Sequence, residues 1–404
     1  MSEVAQVPQL RFPEFSGEWE DGKLGNYGNL INGLTYSPDN IVDDGLLVLR
    51  SSNVQNGQIY LNDNVYVNLD VDDTALTRED DILICVRNGS KRLIGKSTII
   101  NKNLPKSTHG AFMTVFRGES NKFISHWFHS SIYYKEVHKN LGATINSING
   151  SNLKKFKTIF PLKPEQQKIA AFLTTVDSKI EQLSKKQELL GSWKKGLMQQ
   201  IFSQATRFKA DDGCDFPDWE ERKLGNLTKV VVGGTPSTSN ESYWNNGSIP
   251  WLSSGGINDG NVIKASKLIT QEGLDNSSAK LMPKGTTLLA MTGATLGRVG
   301  YLLIETSGNQ SVAGLIPNHN FYSKFLFYTL FKNKQTILSM AGGAAQAGIN
   351  KATIESFKFK FPIVEEQTKI ANFLSSIDTK IEQVGKQLIE SKQFKKALLQ
   401  QMFI

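Results

Sequence analysis

The feature that most constrains this chain is a phrase of fifteen residues that occurs twice, 201 positions apart. The segment KIAAFLTTVDSKIEQ begins at Lys168, and KIANFLSSIDTKIEQ begins at Lys369. Both belong to a longer repeat, because residues 156–203 align without a gap on residues 357–404 with 23 identities in 48 positions. An internal repeat of this size predicts two similar structural units in one chain.

Each copy of the repeat has apolar residues separated by steps of three and four, which is typical of one long amphipathic helix. Those residues are Ile169, Leu173, Val176, Ile180, Leu183, Leu190, Leu197 and Ile201 in the first copy, and Ile370, Leu374, Ile377, Ile381, Val384, Leu388, Leu398 and Met402 in the second. A 3.5-residue spacing held for nearly five heptads favours a coiled coil, and Pro164 suits a first helical turn. Gln187, Lys194 and Lys395 interrupt the apolar seam, which predicts loosened packing or a binding partner at those positions.

The apolar seam of the second helix has to be buried, and antiparallel pairing with the first helix is the nearest solution. Association with a second copy of the chain is the alternative. Outside the two long helices, short apolar runs broken by Gly, Asn, Ser and Asp predict strands at residues 46–49, 81–86, 286–291 and 299–304. Two longer segments, 122–139 and 322–340, predict helices.

We therefore predict an α+β protein with a pseudo-two-fold internal repeat. Two divergent mixed α/β domains are joined by two long helices that form an antiparallel coiled coil. The predicted boundaries are residues 1–155 for the first globular domain, 156–205 for the first helix, 206–356 for the second domain and 357–404 for the second helix.

Glycine-rich stretches in both globular segments differ from nucleotide-binding motifs. Residues 89–97, GSKRLIGKS, place five residues between the glycines where a phosphate-binding loop has four, and residues 293–300, GATLGRVG, lack the Lys-Ser pair. Both stretches lie between predicted strands, so we expect hairpin turns rather than a nucleotide site.

Other candidate catalytic or metal-binding residues have simpler interpretations. Asp218 with Glu221 resembles an acidic nuclease motif. These residues flank Trp219-Glu220, which repeats Trp19-Glu20, and the first copy lacks the preceding Pro-Asp, which favours surface charge. His126 and His129 have no third ligand at metal-site spacing, so a helix that packs its aromatic residues is expected. Cys85 and Cys214 are isolated and predict reduced thiols. The sequence has no apolar signal core and no run of about 18 apolar residues, so we expect a cytoplasmic protein. We also expect no cofactor or metal in this chain.

Several motifs occur in one order along nearly the whole chain. They are the duplicated helices, the opening Trp-Glu-x-x-Lys-Leu-Gly, the phrase GGTPSTSNESYWNNGSIPWLSSGGI at 233–257, and the parallel between 142–156 and 343–357. With these motifs the chain resembles the specificity subunits of type I restriction-modification systems. The resemblance implies a non-catalytic reader of double-stranded DNA, with each globular domain a target recognition domain for half of a bipartite site.

The same resemblance implies partners. The helices would determine the length of the DNA spacer between the two half-sites, whose sequence is not read. They would also bind two methyltransferase subunits that bind S-adenosylmethionine. Two restriction subunits, driven by ATP and using Mg, would complete a nuclease. No Asn-Pro-Pro-Tyr-type methyltransferase motif occurs in this chain, which agrees with catalysis by partners.

Charge favours a polyanion partner, since the net charge is +8 and the pI is about 9.2. The excess lies on the helices, with ten basic residues against four acidic ones in 156–210 and eight against five in 357–404. The globular domains are nearly neutral, so DNA contacts there must come from local clusters.

We expect these clusters in two pairs of loops. Arg87, Asn88, Arg92 and Arg298 suit base edges, and Lys91 and Lys96 suit phosphates; Thr292 and Thr295 lie in the turn that corresponds to 87–92. The resemblance also places toward DNA a second matched pair of loops, which contain Ser51, Ser52, Asn53, Ser253 and Ser254. A solvated loop is the alternative for each residue.

Two other functional classes stay open on the sequence alone. A two-headed adaptor for protein or carbohydrate, or a stand-alone DNA-binding protein, would also use two tethered globular domains. A nuclease or nucleotide hydrolase requires catalytic motifs that the glycine and acidic patterns above do not supply.

Overall fold

The two repeated segments fold into the longest helices of the described structure, as their apolar spacing predicts. The first long helix is Lys163–Phe202, with 40 residues, and the second is Val364–Met402, with 39. At 1.5 Å per residue each is about 60 Å long. The computed structural model describes residues 6–141, 146–318, 321–341 and 348–404. The predicted parallel between 142–156 and 343–357 therefore lies partly outside the described residues.

Contacts divide the chain into two compact units, each of which contains parts of both long helices. Unit 1 comprises Met1–Lys185 with Val384–Ile404, and unit 2 comprises Lys186–Gln383. The described residues include no helix with the combination of length and apolarity that a membrane crossing needs.

Unit 1 contains two four-stranded sheets, a two-stranded ribbon and a small hairpin. The first sheet is antiparallel, in the order Gly28–Asn32, Met113–Gly118, Ile82–Cys85 and Ser97–Ile99. The second has the order Ser107–His109, Leu46–Leu49, Tyr66–Val67 and Ile41–Val42, and its first two strands are parallel. The ribbon pairs Glu20–Lys23 with Lys157–Phe160, and the hairpin pairs Val54–Gln55 with Gln58–Ile59. The shorter helices are Asn121–Trp127, Ser131–Asn140 and Gly150–Lys154.

Unit 2 repeats this plan with a different sequence. Its larger sheet has the order Thr228–Val232, Val312–Pro317, Thr287–Ala290, Val299–Leu302 and Asn261–Val262. Its smaller sheet has the order Lys267–Ile269, Ile249–Leu252 and Ser307–Gly308, with the last two strands parallel. A ribbon pairs Glu220–Lys223 with Lys358–Phe361. The shorter helices are Leu224–Leu227, Gln271–Asp275, Ser323–Lys332, Lys334–Met340 and Lys351–Ser356.

The predicted strands are confirmed within two residues at each end, but the two predicted helical segments are each divided. Residues 122–139 form two helices, because the Ser130 side chain caps the second one by accepting a hydrogen bond from Tyr133 N at 3.2 Å. Residues 322–340 also form two helices, which meet at Asn333. The spacing of apolar residues alone does not reveal such a capping hydrogen bond.

Within each unit, the long-helix segments run antiparallel and share a core with the globular part. In unit 1, Leu173 near the start of the first helix belongs to the same buried cluster as Leu398 and Met402 near the end of the second. In unit 2, Ile201 at the end of the first helix shares a cluster with Leu374 near the start of the second. Within each unit, apolar residues of the second helix are therefore buried together with residues of the first helix.

Two of the polar residues that interrupt the seam are paired rather than loosely packed. Lys395 forms a salt bridge with Asp177 in unit 1, and Lys194 forms one with Asp378 in unit 2. An acid on the opposing helix segment neutralises each ammonium group, so these two lysines are paired within their own units. Loosened packing or a binding partner at the interruptions stays a prediction.

A buried carboxylate near the start of each long helix holds the segment that leads into the globular part. Glu165 accepts hydrogen bonds from Arg11 Nη2 at 2.7 Å and from Trp19 Nε1 at 3.3 Å. Glu366 repeats this arrangement in unit 2, with Arg207 Nη2 at 2.7 Å and Trp219 Nε1 at 3.2 Å. The repeated Trp-Glu opening is thus explained in part, since its tryptophan satisfies a buried acid.

Candidate nucleic-acid interface

In unit 1 a turn joins the antiparallel strands Ile82–Cys85 and Ser97–Ile99. Gly95 N donates a hydrogen bond to Cys85 O at 2.8 Å and closes the base of the turn. Gly95 has a φ of +83°, and a Cβ atom at this position would lie 2.8 Å from Cγ2 of Val137. Both the backbone and the space require glycine. The hairpin glycine predicted in this stretch is confirmed.

The loop that contains Ser51 lies against this turn. Asn88 Nδ2 donates to Ser51 Oγ at 3.0 Å, and Lys96 Nζ donates to Ser51 O at 3.1 Å. Asn88 also accepts a hydrogen bond from Ser90 N through Oδ1 at 3.0 Å. The structure therefore brings together two of the predicted loops, although Ser51 and Asn88 are 37 positions apart.

Two of the predicted contact residues in unit 1, Asn53 and Lys96, hydrogen-bond to the backbone of these loops. Asn53 is fully buried, and its amide accepts from Arg50 N at 2.9 Å and donates to Tyr60 O at 2.9 Å. The amide thus serves the backbone of its own loop, and a DNA contact by Asn53 stays a prediction. The Ser52 hydroxyl oxygen is also buried. Burial lowers the pKa of Lys96. Its ammonium group donates a hydrogen bond to Ser51 O and so connects the turn to the loop that contains Ser51.

The remaining residues of the turn form an exposed basic tip. Arg87, Lys91 and Arg92 are exposed, and none of them forms a salt bridge with an acidic residue in the described ranges. The Arg87 guanidinium lies over the ring of Phe112, 5.7 Å from its centroid. Lys91 and Arg92 lie in a single 3₁₀ turn, Lys91–Leu93. The tip can donate hydrogen bonds to phosphates or to base acceptors.

Unit 2 has the equivalent turn, between strands Thr287–Ala290 and Val299–Leu302. Gly297 N donates to Ala290 O at 2.9 Å, and Gly297 has a φ of +77°. These features match Gly95 and Cys85 of unit 1. The sequence-based correspondence between the two turns is therefore confirmed.

The side chains on the unit 2 turn are hydroxyls rather than cations. Thr292 Oγ1 donates to Ser311 Oγ at 2.7 Å, and Thr295 Oγ1 points to Thr292 O at 3.4 Å. Arg298 is half-buried, and its Nη1 atom lies 3.5 Å from Ile257 O. Arg298 thus takes the place of Lys96, next to a polar loop, and not the place of Arg87.

The second polar loop of unit 2 begins at Ser253. The Ser253 and Ser266 hydroxyl oxygens lie 3.2 Å apart, and Ser254 starts the 3₁₀ turn Ser254–Gly256. Both loop serines are half-buried. Ile257, which accepts the contact from Arg298, directly follows this turn, so the two predicted loops of unit 2 also lie side by side.

Sequence reasoning missed two residues beside these turns, Phe112 and Ser311. Each precedes a long strand, and its carbonyl accepts from the first residue after another strand: Val86 N at 3.0 Å in unit 1 and Met291 N at 2.8 Å in unit 2. Neither residue is basic or an amide, so a search for such side chains does not select them. An exposed aromatic residue next to polar loops was the available signal for Phe112.

The other motifs examined for catalysis have structural explanations. Asp218 is exposed and Glu221 pairs with Lys358 at 3.6 Å, as expected for surface charge. His126 is buried and His129 is half-buried. Desolvation lowers the pKa of both, that of His126 to about 3. Between them Trp127 and Phe128 are fully buried, which confirms the aromatic-packing interpretation.

Comparison with known proteins agrees with this architecture. The family model for the type I restriction modification DNA specificity domain matches the chain twice, over residues 16–190 and 217–391. A putative type I restriction enzyme MjaX specificity subunit of Methanocaldococcus jannaschii is 28% identical, over 98% of this chain and 94% of that protein. The type I restriction enzyme StySPI specificity subunit of Salmonella potsdam is 24% identical, over 92% and 84% respectively.

A solved structure shows the same fold. The crystal structure of a type I restriction-modification S subunit from M. genitalium superposes with a TM-score of 0.67 at 17% identity, over 98% of this chain and 99% of that one. The fold and its two equivalent turns define a duplicated protein with two structurally similar units. The chain belongs to the family of type I restriction-modification DNA specificity subunits, as its sequence motifs predict.

Proposed function

We propose that this chain is the non-catalytic reader of a bipartite DNA target, with one half-site read by each unit. The observation that carries the proposal is the equivalent turn closed by Gly95 in unit 1 and by Gly297 in unit 2. The turn of unit 1 presents two arginines and a lysine, and the equivalent turn of unit 2 presents the hydroxyl groups of two threonines. Since each base pair offers its own pattern of donors and acceptors, two different side-chain sets on one scaffold suit two different sequences.

The exposed basic tip of unit 1 supports both kinds of DNA contact. Arginine can donate two parallel hydrogen bonds to guanine O6 and N7, and we assign this role to Arg87. Lys91 and Arg92 suit phosphate oxygens, which fix the position of a protein on the duplex without reading sequence. Thr292 of unit 2 is the corresponding candidate for the other half-site.

Repeated exposed apolar residues support docking of the same partner on each unit. Leu162 and Ile363 are exposed immediately before the two long helices, and Trp193 and Phe394 are exposed within them. Each pair is 201 positions apart. In unit 2, Ile363 lines a cavity of about 460 Å³ together with Phe321 and other residues. A single exposed apolar residue is ordinary, but the recurrence of these residues at equivalent positions of the two helices supports a shared protein interface.

We propose that these positions bind two methyltransferase subunits that use S-adenosylmethionine. Two restriction subunits that use ATP and Mg would complete the nuclease, in the cytoplasm where the DNA is found. Replacing Trp193 and Phe394 by glutamate should abolish co-purification with the methyltransferase subunit and leave the melting temperature of the chain unchanged. Full co-purification by a double variant that still melts normally would remove these residues from the interface.

Catalysis is assigned to the partners. The chain purified alone, incubated with duplex DNA and labelled S-adenosylmethionine, should transfer no methyl group and cut no strand. Methyl transfer by the isolated chain would overturn this assignment.

The decisive experiment exchanges one unit's globular part. A chimera in which residues 220–355 come from another family member, expressed with the methyltransferase subunit, should change one half of the methylated motif in the host genome. The reciprocal chimera at residues 20–155 is the matched control and should change the other half. Changes in both halves with either chimera would refute separate reading. An adaptor for protein or carbohydrate would leave methylation without any sequence motif.

A further inference from the structure

Phe112 of unit 1 is a large apolar side chain that the fold leaves exposed. Its side chain is 55% exposed, in the short connection between strands Ser107–His109 and Met113–Gly118. Its backbone is fixed, because its carbonyl accepts hydrogen bonds from Val86 N at 3.0 Å and Arg87 N at 3.1 Å. A single exposed apolar residue is ordinary on a protein surface, so the significance of Phe112 depends on what lies near its ring.

The group that lies against the ring is the Arg87 guanidinium, 5.7 Å from the ring centroid. The Arg87 backbone is held from the other side as well, by an antiparallel bridge to Ser147. No acidic residue in the described ranges forms a salt bridge with Arg87. A guanidinium held over an aromatic face by cation–π attraction keeps its N–H donors available to a ligand.

Unit 2 has the same backbone scaffold without these two side chains. Thr292 bridges Gly348 as Arg87 bridges Ser147, and Ser311 accepts from Met291 N as Phe112 accepts from Val86 N. The Thr292 and Ser311 hydroxyls bond to each other at 2.7 Å. The aromatic platform therefore belongs to one unit only and is not required by the fold.

We propose that Phe112 is a positioning residue for Arg87. Its ring holds the guanidinium so that Arg87 forks onto O6 and N7 of one guanine in the half-site read by unit 1. The hydroxyl pair of unit 2 makes no such fork, so no guanine of the other half-site is read from this position. This inference rests on the proposed DNA-reading function.

The test uses the chain in complex with its methyltransferase subunit and duplexes that carry the methylated motif. Each guanine of the motif is replaced in turn by 7-deazaguanine, which lacks N7. For the wild-type complex, one replacement in one half-site should weaken binding by roughly tenfold, the loss of one good base contact. The R87A complex should be insensitive to that same replacement. If no guanine stands out with the wild-type complex, the Arg87 fork is excluded.

Variants of Phe112 then separate positioning from direct contact. F112A should lose roughly two- to fivefold in affinity for the normal duplex, the loss expected for one exposed cation–π contact, whereas F112W should retain binding. In the R87A background, F112A should cause no further loss. An equal loss in both backgrounds would show that Phe112 touches DNA itself and would overturn the proposal. No loss in F112A would overturn it as well.

Two controls keep the outcomes distinct. S311A is the matched change in unit 2 and should leave the sensitivity to 7-deazaguanine in the first half-site unaltered. Because Phe112 is exposed, F112A should melt at the wild-type temperature. Absence of sequence-specific binding by the wild-type complex would count against the proposed function itself, whereas specific binding that is indifferent to F112A refutes only the role of Phe112.

Discussion

The Nζ atom of Lys395 lies 2.5 Å from Oδ1 of Asp177, across the two antiparallel helix segments of unit 1. Lys194 and Asp378 repeat the pair in unit 2, also at 2.5 Å, and the corresponding residues of the two pairs are 201 positions apart. A polar pair at an inward position specifies the register of packed helices, because a slip by one turn would leave both charges unpaired. We interpret the two pairs as register markers within their own units.

Removal of one partner of this pair should destabilise unit 1. Lys395→Met leaves the Asp177 carboxylate half-buried without its cation, and we expect a loss of about 1 to 2 kcal/mol in the free energy of unfolding. The charge exchange Asp177→Lys with Lys395→Asp should recover most of it. Urea unfolding of the single and double variants measures the coupling. The control is Lys396→Met, at the exposed neighbouring position; an equal effect of both methionine variants would contradict a specific pair.

Replacing the buried acid Glu165 should destabilise the protein more than replacing an exposed acid in the first turn of a long helix. Glu165→Ala leaves the Arg11 guanidinium and the Trp19 indole N–H without their acceptor, at a cost of about 3 kcal/mol. Residues 6–18 should then become sensitive to limited proteolysis. Glu366→Ala should do the same for residues 204–218 in unit 2. Glu365→Ala, at an exposed position, is the control, and equal proteolysis of all three variants would show that the buried acid is not the cause.

The sequence predicted the parts of this fold that depend on periodicity and repetition. The two long helices, the Gly95 and Gly297 turns and the four named strands follow from apolar spacing and turn residues, which act locally. The break at Ser130 was missed because it depends on one capping hydrogen bond. Asn53 and Arg50 show the limit at the candidate site: polar residues in a loop look alike in sequence, and only the fold decides which of them bond to their own backbone.

Buried histidines should make unit 1 sensitive to mild acid. Burial, with Lys395 as the second cause, lowers the pKa of His126 from 6.5 to about 3. Its Nδ1 atom lies 3.6 Å from Asp177, but Lys395 already neutralises that carboxylate, so His126 is neutral in the folded state. Below pH 6.5 the unfolded chain binds a proton that the folded chain does not. Stability should therefore fall as the pH drops from 6.5 toward 3, by up to about 1.4 kcal/mol per pH unit for this residue.

The measurement is the melting temperature of the chain between pH 7.5 and pH 5. His126→Gln removes the titrating group and should flatten the curve below pH 6.5, although burial also lowers the pKa of His129, which contributes in the same direction. A variant whose curve has the wild-type slope would show that His126 does not titrate on unfolding in this range.

Lys91, at the exposed tip, should contribute to DNA binding through its charge alone. Lys91→Ala is expected to weaken binding of the partner complex to all duplexes by a similar factor and to reduce the slope of log affinity against log salt by about one. Binding titrations from 50 to 200 mM salt on the target and on an unrelated duplex provide the measurement. Lys96→Ala is the contrast, since its ammonium ties the Ser51 loop; we expect it to lower the melting temperature instead. A loss confined to the target duplex would assign Lys91 to base reading.

The length of the repeated helices should determine how many base pairs separate the two half-sites. Inserting one heptad into each long helix, at positions 201 residues apart, keeps the apolar seam in register. It adds seven residues at 1.5 Å each, about 10 Å, and duplex DNA advances about 3.4 Å per base pair, so the unread spacer should grow by about three base pairs. The methylated motif of cells that carry the insertion variant and its methyltransferase subunit provides the measurement. Insertion into one helix alone is the control and should abolish methylation, because the Lys395–Asp177 and Lys194–Asp378 pairs cannot both form. An active variant with two insertions and the original spacer would show that the helices serve partner binding and do not set the spacing.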